Sequence, residues 1–302
     1  MIDNGAKQRL MTLCGDSVVF DEPMSNHTSF RIGGPADALV VPRDERCLRG
    51  VISFARANSI PFYAIGRGTN LLIRYDGVQG IVVKMSDVMD EIEFEDKKVA
   101  AGAGCAFPAL SRAAAEHSLS GLEFAIGIPG TVGGALTMNA GAGGYEIGEL
   151  VEWVKVFDTI ENQVDTLGCD DIWFGQRDSF FLQNRQYIIL RVGLALQKDD
   201  PQTVRERMER HMEKRRRTHP LGLPSAGSIF KRPPGDYAGR LIEAAGLKGL
   251  RRGDAEVSRI HAGWIVNHGN ASAEDVVALI EQVQQTVQKR FGVALETEVL
   301  FL

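Results

Sequence analysis

The sequence of 302 residues predicts an α+β protein, with a glycine-rich N-terminal region and a smaller αβ region after about residue 198. Helix-like and strand-like apolar patterns both occur along the chain, as is typical of this fold class. Glycines crowd between residues 121 and 148, and the sequence changes character after Asp199-Asp200-Pro201. Hydrophobic residues make up 44% of the chain and charged residues 24%, so it is able to bury a substantial core.

The N-terminal region predicts short strands separated by helices. Pro42 ends a strand, Asp44 suits a helix N-cap, and Pro108 suits an early helical position. In chain order the predicted elements are a helix or arm over 1–20, a strand over 37–42, a helix over 44–58 with Leu48, Val51, Ile52 and Ala55 on one face, a strand from Gly80, a hairpin over 90–104, a helix over 109–117, and strands over 151–158 and 186–196. No internal repeat interrupts this series.

The C-terminal region predicts three helices and two strands. Its strongest signal is Ser272 with Asp275 three residues later, which is the pattern of a capping box. In chain order the predicted elements are a charged helix over 202–219, a helix capped by Asp236 and stopped by Gly246, a strand over 263–267, a helix from Ser272 to Gly292 with Val276, Ile280, Val283 and Val287 on one face, and a closing strand over 293–302.

The composition argues against several classes of function. A net charge of −5 gives no general attraction for nucleic acid or anionic lipid, and no apolar run approaches the roughly 20 residues of a membrane-spanning helix. The N-terminal segment lacks the pattern of a signal peptide. The cysteines, Cys14, Cys47, Cys105 and Cys169, are too scattered to indicate a zinc site or a disulfide framework. We therefore expect a cytoplasmic protein without metal, nucleic acid or membrane insertion. The sequence leaves the oligomeric state open, with a monomer slightly favoured.

The first glycine-rich loop, GRGTNLL over 66–72, follows an apolar run. Glycine permits positive φ, and its missing Cβ lets phosphate oxygens reach backbone N–H groups. The third glycine of a dinucleotide-binding fingerprint is absent, so the loop is about equally consistent with a tight turn between strands. The candidate cofactor-binding residues in this loop are Gly66, Arg67, Gly68, Thr69, Asn70 and Leu71.

The second glycine-rich loop, GIPGTVGGALTMNAGAGG over 127–144, contains too many apolar residues for a flexible linker. A backbone packed closely against a large flat ligand explains this composition, and a buried packing corner is the alternative. Two such loops favour a dinucleotide over a mononucleotide, and neither has the lysine pattern of a P-loop. The candidate cofactor-binding residues here are Gly127, Ile128, Pro129, Gly130, Thr131, Gly133, Gly134 and Asn139.

Several segments follow one another in the order of a known family. They are GRGTNLLI, GLEFAIGIPGTVGGALTMNAGA, RDSFF, SAGSIFKRPPG, LIEAAGLKG, HAGWIVNHGNASAEDV and LETEVLFL. In this order the chain resembles the UDP-N-acetylenolpyruvylglucosamine reductases of bacterial peptidoglycan synthesis, from about Asn26 to Leu302. The short spacing between Arg177 and Ser228 resembles the shorter class of the family, which lacks an inserted substrate loop.

The resemblance implies FAD as the cofactor, NADPH as the reductant of the flavin, and a UDP-sugar as the small-molecule substrate. It further implies a two-part FAD-binding domain of the vanillyl-alcohol-oxidase (PCMH) type followed by a smaller αβ substrate-binding domain. The expected bounds are an N-terminal arm over 1–25, an FAD-binding domain over 26–198 divided near 85–90, and a substrate-binding domain over 199–302.

The resemblance also implies three catalytic residues. Arg177 in GQRDS resembles the family's catalytic arginine, Ser228 in SAGS its proton donor, and Glu298 in LETEV its catalytic glutamate. Reduction of a double bond conjugated with a carboxylate builds up enolate charge, which a fixed arginine stabilises. The carbanion-like carbon is a strong base, so a positioned serine hydroxyl is able to protonate it.

Without the resemblance, each of these residues has an ordinary structural interpretation. Arg177 beside Asp178 would form a surface ion pair, and Ser228 would hydrogen-bond the backbone of a turn. Strand alternation would turn Glu298 toward solvent with Glu296. The alternative functions are another FAD-dependent oxidase or dehydrogenase on this scaffold, and a nucleotide-binding relative that has lost catalysis.

The chain departs from the family pattern at three substrate-contact positions. Gln176 stands where the family commonly has tyrosine, Arg232 where it has asparagine, and Leu300 where it has arginine. These differences leave room for a modified substrate.

Basic residues near the serine loop are candidates for contact with a substrate diphosphate. The segment KRRRTHP over 214–220 either contacts the substrate diphosphate or is a solvated helix C-terminus, and the sequence supports both interpretations equally. The individual candidates for substrate binding are Lys231, Arg232 and His268.

Overall fold

The structure is a computed structural model that describes residues 2–86 and 88–302. Met1, in the predicted arm, and Asp87, in the predicted division at 85–90, lie outside the described residues. The chain forms two compact units whose segments alternate along the sequence. The first unit comprises Met1–Phe20, Ala38–Arg67 and Gln79–Arg215, and the second comprises Asp21–Asp37, Gly68–Val78 and Arg216–Leu302. The domain bounds expected from the resemblance stay a prediction.

Several helices begin at residues whose side chains cap them. The described α-helices are α1 (Asn4–Cys14), α2 (Glu45–Ala57), α3 (Phe107–Glu116), α4 (Val132–Thr137), α5 (Phe180–Gln183), α6 (Pro201–Thr218), α7 (Ala238–Ala244) and α8 (Ala273–Phe291). The Asp44 carboxylate accepts from the Cys47 amide at the start of α2, as predicted. Ser272 and Asp275 form the predicted capping box of α8, and Gly292 ends α8 with a φ of +70°.

The strands are short, and they are numbered in chain order. They are β1 (Val18–Pro23), β2 (Pro35–Val40), β3 (Phe62–Ile65), β4 (Leu71–Leu72), β5 (Val78–Lys84), β6 (Ile92–Glu95), β7 (Lys98–Gly102), β8 (Leu119–Ser120), β9 (Gly141–Ala142), β10 (Tyr145–Glu146), β11 (Val151–Asp158), β12 (Gln163–Gly168), β13 (Phe174–Gly175), β14 (Asp178–Ser179), β15 (Tyr187–Ala195), β16 (Gln197–Lys198), β17 (Ser225–Ser228), β18 (Arg251–Arg252), β19 (Ala255–Val257), β20 (Trp264–Asn267) and β21 (Leu300–Phe301). Together with the helices they confirm the predicted α+β class.

The first unit has two separate hydrophobic cores. One core joins α1 and α2 to the four-stranded sheet β1-β2-β5-β3, in which β3 and β5 are parallel. The other core joins α3 and α4 to the antiparallel sheet β12-β11-β15-β7-β6. Leu48 and Ile52 are fully buried in the first core, and Leu110 and Leu136 in the second. Burial of each such side chain contributes roughly 1.5–3 kcal/mol to stability.

The second unit packs α7 and α8 against the antiparallel sheet β17-β20-β19-β18. The predicted apolar face of α8 is buried in this core, including Val276 and Val283. The strands β4 and β21 form a parallel pair, with Leu71 opposite Leu300. This pair joins the first glycine-rich loop to the C-terminal segment of the chain.

Two expectations from the sequence are wrong. Tyr237, not Asp236, occupies the N-cap position of α7. The Asp236 carboxylate instead accepts from the Tyr237 amide at 2.7 Å and pairs with Arg240, which lowers the pKa of Asp236 to about 2. The closing strand is also shorter than expected: only Leu300–Phe301 forms β21, and Thr297 makes an isolated bridge to Phe230.

Candidate active site

The first glycine-rich loop leads from β3 into β4. A Cβ on Gly66 would lie 2.5 Å from the Thr131 hydroxyl oxygen, so the two glycine-rich loops touch within the first unit. Gly68 has a φ of +61°, and a Cβ there would collide with the His27 carbonyl oxygen. Packing against protein atoms therefore accounts for both glycines.

The end of the first loop holds the segment that contains Glu298. The Asn70 side-chain amide donates to the Glu298 carbonyl at 2.9 Å, and the Leu300 amide donates to the Asn70 carbonyl at 3.0 Å. Asn70 thus fixes the backbone on both sides of Val299. The sequence predicted Asn70 as a cofactor contact and gave no sign that it holds the backbone beside Glu298.

The second glycine-rich loop contains the start of α4. The Thr131 hydroxyl caps α4 by accepting from the Gly134 amide at 3.2 Å. Gly133 lies so close to Ala103 that a Cβ would come within 3.0 Å of the Ala103 side chain. Gly130 is buried with a φ of +124°, whereas Pro129 and Gly134 are exposed. The loop thus combines tightly packed glycines with accessible positions.

These loops offer groups that fit a dinucleotide. Within the first unit, the exposed Arg67 follows Gly66, and Gly66 touches the loop that exposes Pro129 and Gly134. A Cβ on Gly134 would lie 3.3 Å from the Thr131 hydroxyl, which caps the same helix, and near no other described residue outside that helix. A ligand is therefore able to approach this part of the backbone closely. Guanidinium and backbone N–H groups are the donors that a diphosphate prefers.

The charged helix α6 packs against the second loop. A Cβ on Gly127 would come within 2.8 Å of Arg215 Cδ, and a Cβ on Gly143 within 3.2 Å of His211 Cε1. Burial lowers the pKa of the Arg215 guanidinium and the pKa of His211. From the sequence this segment is only a basic helix end. The contacts of Arg215 with Gly127 and of His211 with Gly143 join residues that are distant in the chain, so no local pattern indicates them.

Arg177 lies in the two-residue turn of the hairpin β13–β14. It has a φ of +53°, which is unfavourable for a non-glycine residue. Its guanidinium donates to the Asn139 carbonyl at 3.2 Å and the Gly141 carbonyl at 2.8 Å, and lies 3.5 Å from Glu146 Oε1. The neighbouring Asp178 carboxylate accepts from the amide of Ser179 and the side chain of Gln183.

Asn139 is 2% exposed, and its side-chain amide bonds protein groups on three sides. It donates to Glu146 Oε2 at 2.7 Å and to the Gly175 carbonyl at 2.9 Å, and it accepts from the Gly148 amide at 3.0 Å. Three of the hydrogen bonds available to an asparagine amide are thus made within the first unit. This arrangement supports a structural role beside Arg177, whereas the sequence had suggested a cofactor contact.

Ser228 and Glu298 lie on adjacent segments of the second unit. The Glu298 amide donates to the carbonyl of Ile229, the residue after Ser228, at 2.7 Å. Phe230 and Thr297 form an isolated bridge beside them. Gly227 has a φ of +77°, which turns the chain just before Ser228. The structure therefore brings these two predicted catalytic residues together, while Arg177 belongs to the first unit.

Ser225 differs from Ser228 in burial and in its contacts. Ser225 is buried, and its carbonyl accepts from the Ser29 hydroxyl at 2.6 Å. Its amide donates back to the Ser29 carbonyl at 3.2 Å. Ser225 thus anchors the start of β17 through its backbone, and the half-buried Ser228 lies at the other end of the strand.

The three candidate substrate contacts all interact with neighbouring side chains. Lys231 Nζ lies 3.9 Å from Glu296, and Arg232 stacks over the Tyr237 ring at 4.0 Å. His268 Nε2 lies 3.2 Å from Glu256. The described part of the chain contains no group of three His, Cys, Asp or Glu side chains that suits a metal ion. None of the described helices has the length and apolar character needed to cross a bilayer.

Two family models match successive parts of the chain. Residues 36–165 match a model described as FAD binding domain. Residues 219–302 match a model described as UDP-N-acetylenolpyruvoylglucosamine reductase, C-terminal domain. This succession confirms the predicted fold class, with an FAD-binding domain before a smaller αβ domain.

Relatives and a solved structure extend this likeness over nearly the whole chain. The UDP-N-acetylenolpyruvoylglucosamine reductase of Caldanaerobacter subterraneus subsp. tengcongensis is 46% identical over 92% of this chain and 91% of its own length. The protein of the same name from Desulforamulus reducens is 42% identical over 100% of this chain and 99% of its own. The crystal structure of UDP-N-acetylenolpyruvylglucosamine reductase from Thermus caldophilus, 34% identical, covers 94% of this chain and 97% of that chain with a TM-score of 0.78. The chain therefore belongs to the UDP-N-acetylenolpyruvoylglucosamine reductase family and is an FAD-dependent oxidoreductase.

Proposed function

We propose that the protein reduces UDP-N-acetylglucosamine enolpyruvate to UDP-N-acetylmuramate with NADPH, as a step of peptidoglycan precursor synthesis in the cytoplasm. FAD held by the two glycine-rich loops at 66–71 and 127–139 would supply the hydride, which NADPH would provide and flavin N5 would deliver to the terminal CH₂ carbon of the enolpyruvyl group. The main support is the fixed pair of segments at Ser228 and Glu298, in a chain that is similar throughout to reductases of this name.

Arg177 stabilises the negative charge that develops on the substrate carboxylate. A guanidinium offers two parallel donors to a carboxylate. Hydrogen bonds to the Asn139 and Gly141 carbonyls orient it before substrate arrives. An oriented cation lowers the barrier because it does not have to reorganise during the reaction.

Ser228 gives a proton to the substrate carbon next to the carboxylate. A serine hydroxyl is a weak acid, but the carbon that accepts the proton is a strong base at that stage. The hydroxyl needs a fixed position, which the Glu298–Ile229 backbone bond and the turn at Gly227 provide. The serine proton is then restored from solvent or a neighbouring group.

Glu298 acts on the same enol. As a carboxylic acid it would donate to the enol oxygen, and as a carboxylate it would orient a donor. The pH dependence of substrate reduction by the reduced enzyme distinguishes these two forms. Asn70 and Ile229 fix its backbone in either case.

Lys231, Arg232 and His268 bind the substrate away from the reacting carbon. Lys231 and Arg232 follow the serine strand directly and carry the charges that a diphosphate attracts. Arg232 stands where the family commonly has asparagine, and its stacking on Tyr237 offers the substrate a planar cation at a defined position. Because Glu296 and Glu256 already pair with Lys231 and His268, substrate has to compete with these carboxylates.

The visible spectrum of the purified protein tests the proposal. We expect flavin absorbance that NADPH bleaches under anaerobic conditions and that the enolpyruvyl substrate restores. UDP-N-acetylglucosamine, which lacks the double bond, is the matched control and should restore nothing. Oxygen consumption without any dependence on the substrate would favour an oxidase on the same scaffold, and a colourless preparation would favour a non-catalytic relative.

A further inference from the structure

Glu146 occupies a position that the sequence had not singled out. One carboxylate oxygen, Oε1, lies 3.5 Å from Arg177 Nη1, and the other, Oε2, accepts from Asn139 Nδ2 at 2.7 Å. Asn139 in turn donates to the carbonyl of Gly175, two residues before Arg177. The Glu146 carboxylate thus links the Arg177 guanidinium to Asn139, which is bonded to the first strand of the hairpin that carries Arg177.

The turn that this network supports is strained. Arg177 has a φ of +53° and Asn139 a φ of +42°, and both are uncommon for residues with a side chain. Such conformations persist where surrounding contacts determine them, and they cluster at functional sites. The network therefore maintains a backbone geometry that the hairpin sequence alone would not favour.

The same contacts fix the direction of the guanidinium. Two carbonyl oxygens and one carboxylate oxygen contact Nη1 and Nη2, which restricts rotation of a long side chain. About three-quarters of the Arg177 side chain and two-thirds of the Glu146 side chain are screened from solvent, so the pair is more than a surface contact. A small displacement of an oriented catalytic group is able to slow a reaction substantially.

We infer that Glu146 is a positioning residue for Arg177 and acts together with Asn139 as a clamp on the guanidinium. The inference rests on the proposed function, in which Arg177 stabilises charge on the substrate. Glu146 touches no reacting atom in this assignment. It acts on substrate reduction only through Arg177, and it leaves the reduction of the flavin by NADPH unaffected.

The test measures the two half-reactions separately in the flavin-loaded protein. We expect Glu146→Ala to slow reoxidation of the reduced flavin by the enolpyruvyl substrate on the order of 10- to 100-fold. Reduction by NADPH and flavin content should stay near wild type, and kcat should fall more than KM rises. The melting temperature should fall, because the buried Asn139 amide loses its acceptor. Glu149→Ala is the matched control, because Glu149 is an exposed glutamate three residues away.

A second variant keeps the test valid if Glu146→Ala folds poorly or loses flavin. Glu146→Gln preserves the size of the side chain, but its single oxygen is able to accept from only one of its two partners. We expect the same selective loss of substrate reduction, smaller than in Glu146→Ala. Equal slowing of both half-reactions in this variant would mean a purely structural role and would overturn the inference.

A double-mutant cycle with Arg177→Lys separates the clamp from the role of Arg177 itself. If Glu146 acts through the guanidinium, Glu146→Ala should add little once Arg177→Lys is present. Fully multiplicative losses would contradict the clamp. If Arg177→Ala left substrate reduction unchanged, the proposed function of Arg177 would fail instead, so the two failures are distinguishable.

Discussion

The surroundings of Arg177 and those of the Ser228–Glu298 pair hold candidate catalytic groups by different means. Arg177 lies in a strained turn, and the side chains of Asn139 and Glu146 support it. Ser228 and Glu298 lie on extended segments that pair through backbone hydrogen bonds. The first arrangement depends on the identity of several neighbouring side chains, whereas the second depends mainly on backbone direction.

This difference predicts how each region responds to substitution. Near Arg177, changes to residues that touch no substrate should impair the reaction, because they release the guanidinium. Near Ser228 and Glu298, the side chains that touch substrate and the few groups that hold their backbone should matter. Variants of the groups that hold each region test this contrast.

Ser228→Ala should have the largest effect. Loss of a positioned proton donor is expected to slow reoxidation of the reduced flavin by substrate about 100-fold or more, while reduction by NADPH stays normal. Single-turnover absorbance measurements follow both steps. Ser225→Ala is the matched control and should behave as wild type, because Ser225 anchors its strand through its backbone amide and carbonyl. A normal reoxidation rate in Ser228→Ala would remove the proton-donor role.

Glu298→Ala should also slow substrate reduction strongly, by about 10-fold or more if the carboxyl group stabilises the enol. Glu296→Ala, two residues earlier in the same segment, should change little, because the Glu296 side chain is 79% exposed and lies 3.9 Å from Lys231. Rates measured with saturating substrate separate this effect from weaker binding. Equal rates in the two variants would assign Glu298 to the solvated surface.

Asn70→Ala should have an intermediate effect through the backbone. The substitution removes the bond to the Glu298 carbonyl, which is expected to lower the free energy of unfolding by about 1 kcal/mol. Substrate reduction should fall less than in Glu298→Ala, since the Glu298–Ile229 backbone bond remains. Denaturant titration and single-turnover rates measure the two quantities. A loss as large as that of Glu298→Ala would show that side-chain support matters equally in both regions.

The sequence predicted the elements whose signals are local. The helix α8 has its capping box, its apolar face and its terminal glycine within 21 consecutive residues, so each could be recognised without the fold. Strand β12 was missed because Gln163–Gly168 is largely polar and only partly buried. Asp236 was misassigned because Arg240, one helical turn later, competes for its carboxylate.

The candidate site was predictable only in part, for the same physical reason. Motif likeness indicated Arg177, Ser228 and Glu298, but the groups that hold them are distant in sequence or lack a motif. Asn70 lies 228 residues from Glu298, and Asn139 lies 38 residues from Arg177. Glycine density suggested ligand contact, whereas close approach of protein atoms accounts for Gly66 and Gly127.

The smallest expected effect concerns the pH dependence of the Arg177 region. His211 packs against Gly143 of the second glycine-rich loop, and burial lowers its pKa, with Lys214 and Arg210 adding to the shift and Glu123 opposing it. Because the folded pKa is below the unfolded value of about 6.5, the unfolded chain binds a proton more readily as the pH falls below that value. Stability contributed by neutral His211 is therefore complete above about pH 6.5 and decreases on acidification.

Replacement of His211 tests this contribution. Between about pH 7.5 and 5.5, the melting temperature of wild type should fall more than that of His211→Asn, because asparagine does not titrate in this range. His211→Gln, a second variant without a titratable side chain at this position, should show the same smaller fall. The rate of substrate reduction should follow the same difference if the second loop orients Arg177 through the Asn139 and Gly141 carbonyls. If the melting temperatures of wild type and His211→Asn fell equally on acidification, the contacts that support the Arg177 turn would not extend to α6.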